Sequence, residues 1–176
     1  MKDIPLYSIV IFPTPEQTAL IKSYKQLLKN HIGWYGSTNA AAHITVISIK
    51  DEFMLSLYLD LIKEFCKNIE PQNVTLNKWN SFAQHTFFLE PNETAHQYLN
   101  QIIIDLHQYL GFKIKTAHTH LTIARELDVK KMKIAYELFQ SIEVNFEFCC
   151  DAIYLRKFNY QTKQYSDIIE KISFGK

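Results

Sequence analysis

The sequence predicts an α+β fold made of two pseudo-symmetric lobes, each a mostly antiparallel sheet with helices outside, with a cleft between them. Three observations predict it. The order strand, helix, strand, helix, strand occupies the first half of the chain and recurs loosely after residue 84. Two tetrapeptides, His43-Ile44-Thr45-Val46 and His120-Leu121-Thr122-Ile123, share the pattern His, aliphatic, Thr, aliphatic and lie about half a domain apart. Neither a GxGxxG nor a GxxxxGK[ST] run is present, and only 4 glycines occur, which argues against a doubly wound dinucleotide fold.

The elements follow in order. Residues 7–12 form an apolar, β-branched run closed by Pro13 and predict a buried strand. Thr14 caps and Pro15 starts a helix with Leu20, Ile21, Tyr24, Leu27 and Leu28 at helical spacing, which leaves Lys22, Lys25 and Lys29 on its outer face. Residues 30–42 hold Gly33, Gly36, Ser37 and Asn39 and predict a loop, where Trp34 and Tyr35 are candidates for stacking on a base. The first tetrapeptide opens a strand over 43–49. A helix over about 51–66 follows, with Phe53, Leu57, Leu61 and Phe65 along one face.

After Pro71, residues 74–79 and 85–89 predict two short strands joined around Asn80 and Ser81, with His85 an edge or loop residue. Residues 93–110 predict a helix with Leu99, Ile102, Ile103, Leu106 and Leu110 inward and Gly111 as its stop. A strand starting near Lys115 would put Thr116, His118, His120, Thr122 and Ala124 on one face. Asp128 caps a helix to Phe139, and residues 146–159 and 165–174 predict the final strands.

Composition bounds the function. At 176 residues, 47% hydrophobic and 14% aromatic, the chain fits a single domain, residues 1–176, with a sizeable core. A net charge of +1 argues against a protein that grips long duplex nucleic acid and leaves a nucleotide or short RNA end as the partner class. Cys66, Cys149 and Cys150 lack metal-like spacing and read as core residues. No stretch approaches a membrane span and no leader pattern opens the chain, so a cytoplasmic monomer without membrane contact is expected.

The tetrapeptides carry the chemistry. Alternation on a strand places His43 with Thr45, and His120 with Thr122, on one face, while the aliphatic residues take the other. Two imidazoles can serve as general base and general acid on opposite sides of a phosphate, and two hydroxyls can donate to its non-bridging oxygens. The scheme needs no metal and no cofactor. His118 with His120 and His43 could make a three-histidine zinc site, but those strands carry no carboxylate or cysteine as a fourth ligand, and the threonines would lack a purpose. Strict alternation puts Arg125 opposite His120, although a strand ending at Ala124 could release it to the cleft rim and the phosphate. Tyr154, Arg156 and Lys157 on the late hairpin could line the substrate channel, although ordinary strand surface is the plainer reading.

On these residues the chain resembles the two-histidine (2H) phosphoesterase superfamily, which includes the 2′-5′ RNA ligases, the bacterial RNA 2′,3′-cyclic phosphodiesterases and the eukaryotic cyclic nucleotide phosphodiesterases. The opening strand, both tetrapeptides, the run His-Leu-Thr-Ile-Ala-Arg ending at Arg125, and a closing hairpin with Tyr165 carry the resemblance over nearly the whole chain. The resemblance implies His43 and His120 as acid and base, with Thr45 and Thr122 on the phosphate and Arg125 and Tyr35 as further substrate-binding candidates. The expected substrates are 2′,3′-cyclic phosphate RNA ends or cyclic nucleotides, with 2′-5′ ligation as the reverse reaction. The rival expectation is a nucleotide or RNA-end binding protein without turnover.

Overall fold

The structure is a computed structural model and describes residues 4–83 and 85–175. Eight strands form one antiparallel sheet: β1 (Tyr7–Ile11), β2 (Ile44–Ile49), β3 (Gln72–Phe82), β4 (Thr86–Pro91), β5 (Leu121–Ala124), β6 (Phe146–Cys150), β7 (Ala152–Asn159) and β8 (Gln164–Ser173). Their spatial order is β6-β3-β4-β5-β2-β1-β7-β8. The order is two matching four-strand halves, one reading outward from β2 through β1, β7 and β8, the other from β5 through β4, β3 and β6. They meet where Ile44 pairs with Leu121. The predicted lobes are these halves, with the two tetrapeptides at the seam.

The sequence reads residues 146–159 as one strand, whereas the ladder divides them. β6 pairs with β3 at one edge, and after Asp151 alone β7 pairs with β1 in the other half. A single residue spans only about 3.5 Å of chain, so the sheet must curl until its two outer regions approach.

Four helices, α1 (Pro15–Ile32), α2 (Glu52–Cys66), α3 (Glu93–Tyr109) and α4 (Val129–Phe139), complete the fold. α1 begins with a Thr14–Gln17 capping box and Pro15, and stops at Gly33 with φ 73°. Asp128 caps α4 through the Lys131 N–H, as its sequence predicts. α1 packs on α4 and β5, and α3 on α2, β2, β3 and β4, so each helix that precedes a tetrapeptide reaches across the seam.

Two helix faces differ from expectation. In α2 the buried residues are Leu55, Ile62 and Cys66, while Phe53, Leu57 and Leu61 are exposed. The helix carries two apolar stripes, and contact with α3 and β8 decides which one faces inward. In α1, Lys25 is only 3% exposed rather than on the outer face, because its ammonium turns under the following loop.

The hairpin of β3 and β4 is longer than predicted and runs through Asn80 and Ser81, since both residues find partners in Phe88 and Phe87. Both tetrapeptides also hold a β-bulge at the same point. Val10 faces Thr45 while Ile9 faces Ile47, which leaves Val46 without a cross-strand partner in β1. Phe88 faces Thr122 while Phe87 faces Ala124, which does the same for Ile123 in β4. The fourth residue of each tetrapeptide is therefore the extra residue.

Candidate active site

The bulges set which side chains share the open face. In an antiparallel pair with Ile44 opposite Leu121, the neighbouring positions put His43 across from Thr122 and Thr45 across from His120. Ile44 and Leu121 are fully buried, Thr45 is exposed, and His43, His120 and Thr122 are partly exposed. The seam thus carries a four-residue set of two imidazoles and two hydroxyls on one side and aliphatic core on the other.

Each extra residue resets alternation by one. Val46 with Ile47, and Ile123 with Ala124, both point to the core. Ala124 therefore leaves the face on which the sequence places it, and Arg125 returns to the side of the histidines, where its charge acts on His43. The side chain is exposed, and its backbone exchanges hydrogen bonds of 3.0 and 2.9 Å with Gly36. A Cβ on Gly36 would lie 3.1 Å from both the Arg125 carbonyl and the Glu126 carboxylate, so a larger residue there would push against the Arg125 backbone by a few tenths of an ångström.

Both histidines stand one residue before their strands rather than within them, and both are held in the same way. His43 Nδ1 lies 2.6 Å from the Ala41 carbonyl, and His120 Nδ1 lies 2.8 Å from the His118 carbonyl. A carbonyl only accepts, so Nδ1 carries the proton and donates it in each ring. That leaves each Nε2 with its lone pair, and among the described residues neither Nε2 has a partner. The second strand does not extend back to Lys115; the chain from Phe112 to His120 runs outside the ladder, and β5 begins where Leu89 first pairs with Leu121.

The two rings sit in different surroundings. Burial pushes the His43 imidazole down to about 3, and the charges of Arg156, Lys25 and Arg125 press in the same direction against its bond to Ala41. His120 packs edge-on against Phe82, with ring centroids 4.8 Å apart, and tilted against Phe88 at 5.0 Å. Burial lowers its pKa too, opposed by its bond to the His118 carbonyl. Both rings are therefore neutral in the free protein near neutral pH, and the His43 half is lined by cations.

Arg156 is one of those cations and the sequence treats it as surface. It is 3% exposed, pairs across from Ser8, donates to the Ser8 hydroxyl at 3.3 Å, and lies between the rings of Phe12 and Tyr165, 5.5 Å from each centroid. Its Nε has no partner among the described residues. The apolar alternation of β7, with Ile153 and Leu155 in the core, is the signal that assigns Tyr154 and Arg156 to the opposite face.

Tyr35 does not join the site. It is 1% exposed, and its hydroxyl donates to the Lys25 carbonyl at 2.8 Å, so it cannot stack on a base. Its neighbour Trp34 is 65% exposed, with its carbonyl held by Lys131. His118 faces Glu90 at 3.7 Å and His96 at 5.3 Å between ring centroids. Among the described residues no group of three or more His, Cys, Asp or Glu is arranged to hold a metal ion.

The family model for the 2′-5′ RNA ligase superfamily matches residues 12–161, a span that contains both tetrapeptides and the bulged strands. The chain belongs to this superfamily. Its members are generally phosphoesterases and ligases, so membership places the chain in the class of phosphoesterase-like and RNA-ligase-like proteins. No curated protein matches the chain in sequence.

Solved structures share its fold. E. coli LigT complexed with NADP+ is 11% identical, with 98% of this chain and 99% of that one covered and a TM-score of 0.63. TT0787 of Thermus thermophilus is 15% identical over 97% of this chain and 98% of that one, with a TM-score of 0.58. Usb1 of Kluyveromyces marxianus is 11% identical over 98% of each chain, with a TM-score of 0.54. No helix among the described residues is long and apolar enough to cross a membrane.

Proposed function

We propose that the protein is a metal-independent phosphoesterase that opens 2′,3′-cyclic phosphate RNA ends or cyclic nucleotides by histidine acid–base catalysis. The observation that carries the reading is the matched seam: two Nδ1-pinned imidazoles, each with an open Nε2 and each across from the other tetrapeptide's threonine. Support also comes from superfamily membership and from the fold shared with E. coli LigT, whose solved complexes include 3'-AMP, ATP and phosphate.

The geometry divides the work. A cyclic phosphate at the seam lies between His43 and His120. One Nε2 takes the proton of the attacking water while the other, protonated when the anion binds, gives its proton to the departing ribose oxygen. A phosphate raises the pKa of both rings because it is an opposite charge beside them. Thr45 and Thr122 donate to the non-bridging oxygens and hold phosphorus in line, with Arg125 at the rim adding charge. The buried Arg156, whose charge acts on His43 and which pairs with no carboxylate among the described residues, favours an anion over a cation there. In the bond-forming direction the two histidines exchange roles, which gives 2′-5′ ligation.

The test is incubation with a panel of 2′,3′-cyclic nucleotides and cyclic-phosphate-ended oligoribonucleotides in EDTA, with product position assigned by phosphorus NMR. Turnover in EDTA is expected. Activity that disappears with EDTA and returns with zinc contradicts the reading, and tight binding with no turnover of any substrate makes the protein a binding module.

A further inference from the structure

The segments before the two histidines are each held by one polar side chain from the preceding helix. Lys25, on α1, is 3% exposed, and its ammonium donates to the Ser37 carbonyl at 2.9 Å and the Ala40 carbonyl at 2.8 Å. No carboxylate among the described residues pairs with it. Burial pushes its pKa down to about 8, with Arg125 adding to the shift. A desolvated cation without an acidic partner is a costly way to hold a loop. Ala41, the next residue, supplies the carbonyl that fixes His43 Nδ1.

The second half has the same device with the opposite polarity. Asn100, on α3, accepts the Thr119 N–H at 3.0 Å through Oδ1. Thr119 is itself 2% exposed and lies between His118, whose carbonyl fixes the His120 ring, and His120. α1 and α3 occupy corresponding places, each joining the strand beside the tetrapeptide strand to that strand, β1 to β2 and β4 to β5. The loop before His43 is further tied to the other tetrapeptide, since Ser37 donates to the Ile123 carbonyl and Gly36 pairs with Arg125.

We propose that Lys25 and Asn100 are the paired positioning residues of the site, each setting the backbone carbonyl that orients one imidazole: Lys25 acting on His43 and Asn100 on His120. This rests on the acid–base reading of the two histidines. Neither side chain touches substrate. Lys25 holds the peptide immediately before the one that presents the Ala41 oxygen, and Asn100 holds, through its N–H, the same peptide that presents the His118 oxygen. Loss of either clamp frees its own ring more than the other, because the clamps share no residue and the halves are joined beyond them, through Ser37–Ile123 and Gly36–Arg125.

The test is a crossed set of variants, Lys25→Met with Lys25→Arg, and Asn100→Leu with Asn100→Asp, read by nitrogen-15 NMR of the imidazoles and by kinetics on a cyclic nucleotide. Arginine keeps a donor for the two carbonyls, and aspartate keeps an acceptor for the Thr119 N–H. Lys25→Met is expected to shift the His43 ring signals well beyond those of His120, with Asn100→Leu doing the reverse. Misplacing one ring should lower kcat about 10- to 100-fold with little change in KM. Lys25→Arg and Asn100→Asp should recover most of the loss. If Lys25→Met does not fold, Lys25→Gln takes its place, since its shorter side chain keeps a donor but does not reach both carbonyls.

Equal movement of both rings in either variant, unmoved rings, or an unchanged kcat in a protein that turns over cyclic nucleotides overturns the proposal. A wild-type protein that turns over no cyclic phosphate refutes the acid–base reading instead, and the ring signals then decide the clamps on their own.

Discussion

Lowering the pH from 7 to 5 should destabilise the fold through His43 in particular. The folded ring is held near 3 by burial and by the charges of Arg156, Lys25 and Arg125, while an unfolded histidine titrates near 6.5. A depressed folded value means that stability is complete above the unfolded pKa and is lost as the pH falls below it toward the folded one. Over this window the unfolded chain takes up most of a proton that the folded chain refuses. That corresponds to about 2 kcal/mol at full burial, and about 1 kcal/mol once solvent screening of a partly exposed ring is included. His120 adds in the same direction. The assay is urea unfolding followed by circular dichroism at both pH values for the wild type and for His43→Asn. The wild type should lose about 1 kcal/mol more than the variant over the interval. Equal losses, or an NMR titration of His43 near 6.5 in the folded protein, would refute the argument that burial and the cations around this ring keep it neutral.

Other expectations test the remaining parts of the site. Thr45→Ala and Thr122→Ala should each lower turnover about 10- to 100-fold with both histidines intact, measured by cyclic nucleotide hydrolysis, because each removes one donor to the phosphate. Tyr35→Phe should cost about 1 kcal/mol in thermal or urea unfolding by removing the bond to the Lys25 carbonyl, and should leave relative rates on different bases alone. A change in base preference would return Tyr35 to the substrate. With a thiol reagent on the native protein, Cys149 should react while Cys66 and Cys150 stay protected, since both are buried and burial pushes each thiol up to about 12.

What the sequence displays follows from local chemistry. Thr14-Pro15 and Asp128 announce helix starts because capping needs only neighbouring residues, and the tetrapeptides announce paired strands because alternation is local. The bulges at Val46 and Ile123 are not visible in one strand, since a bulge exists only in relation to the residues opposite. Strict alternation consequently assigns Arg125 and Ala124 to the wrong faces. Lys25 looks like any helix-surface lysine because the carbonyls that hold it belong to a loop twelve and fifteen residues later. Tyr35 looks like a loop aromatic for the same reason, as its partner is on α1. In α2 the stripe of Phe53, Leu57 and Leu61 is as periodic as the buried one, and only the neighbours α3 and β8 distinguish them. The division of β6 from β7 at Asp151 leaves a local trace, since the core positions change phase from Phe146, Phe148 and Cys150 to Ile153 and Leu155, but only the distant partners β3 and β1 assign the two pieces to different halves.

The direct test of a shared site is an NMR titration with a nucleoside 2′- or 3′-monophosphate, following the His43 and His120 ring signals together. Both imidazoles should move with one common dissociation constant and take up protons as the phosphate binds. Movement of one ring alone, or of the two with separate constants, would contradict a single anion held between the two halves.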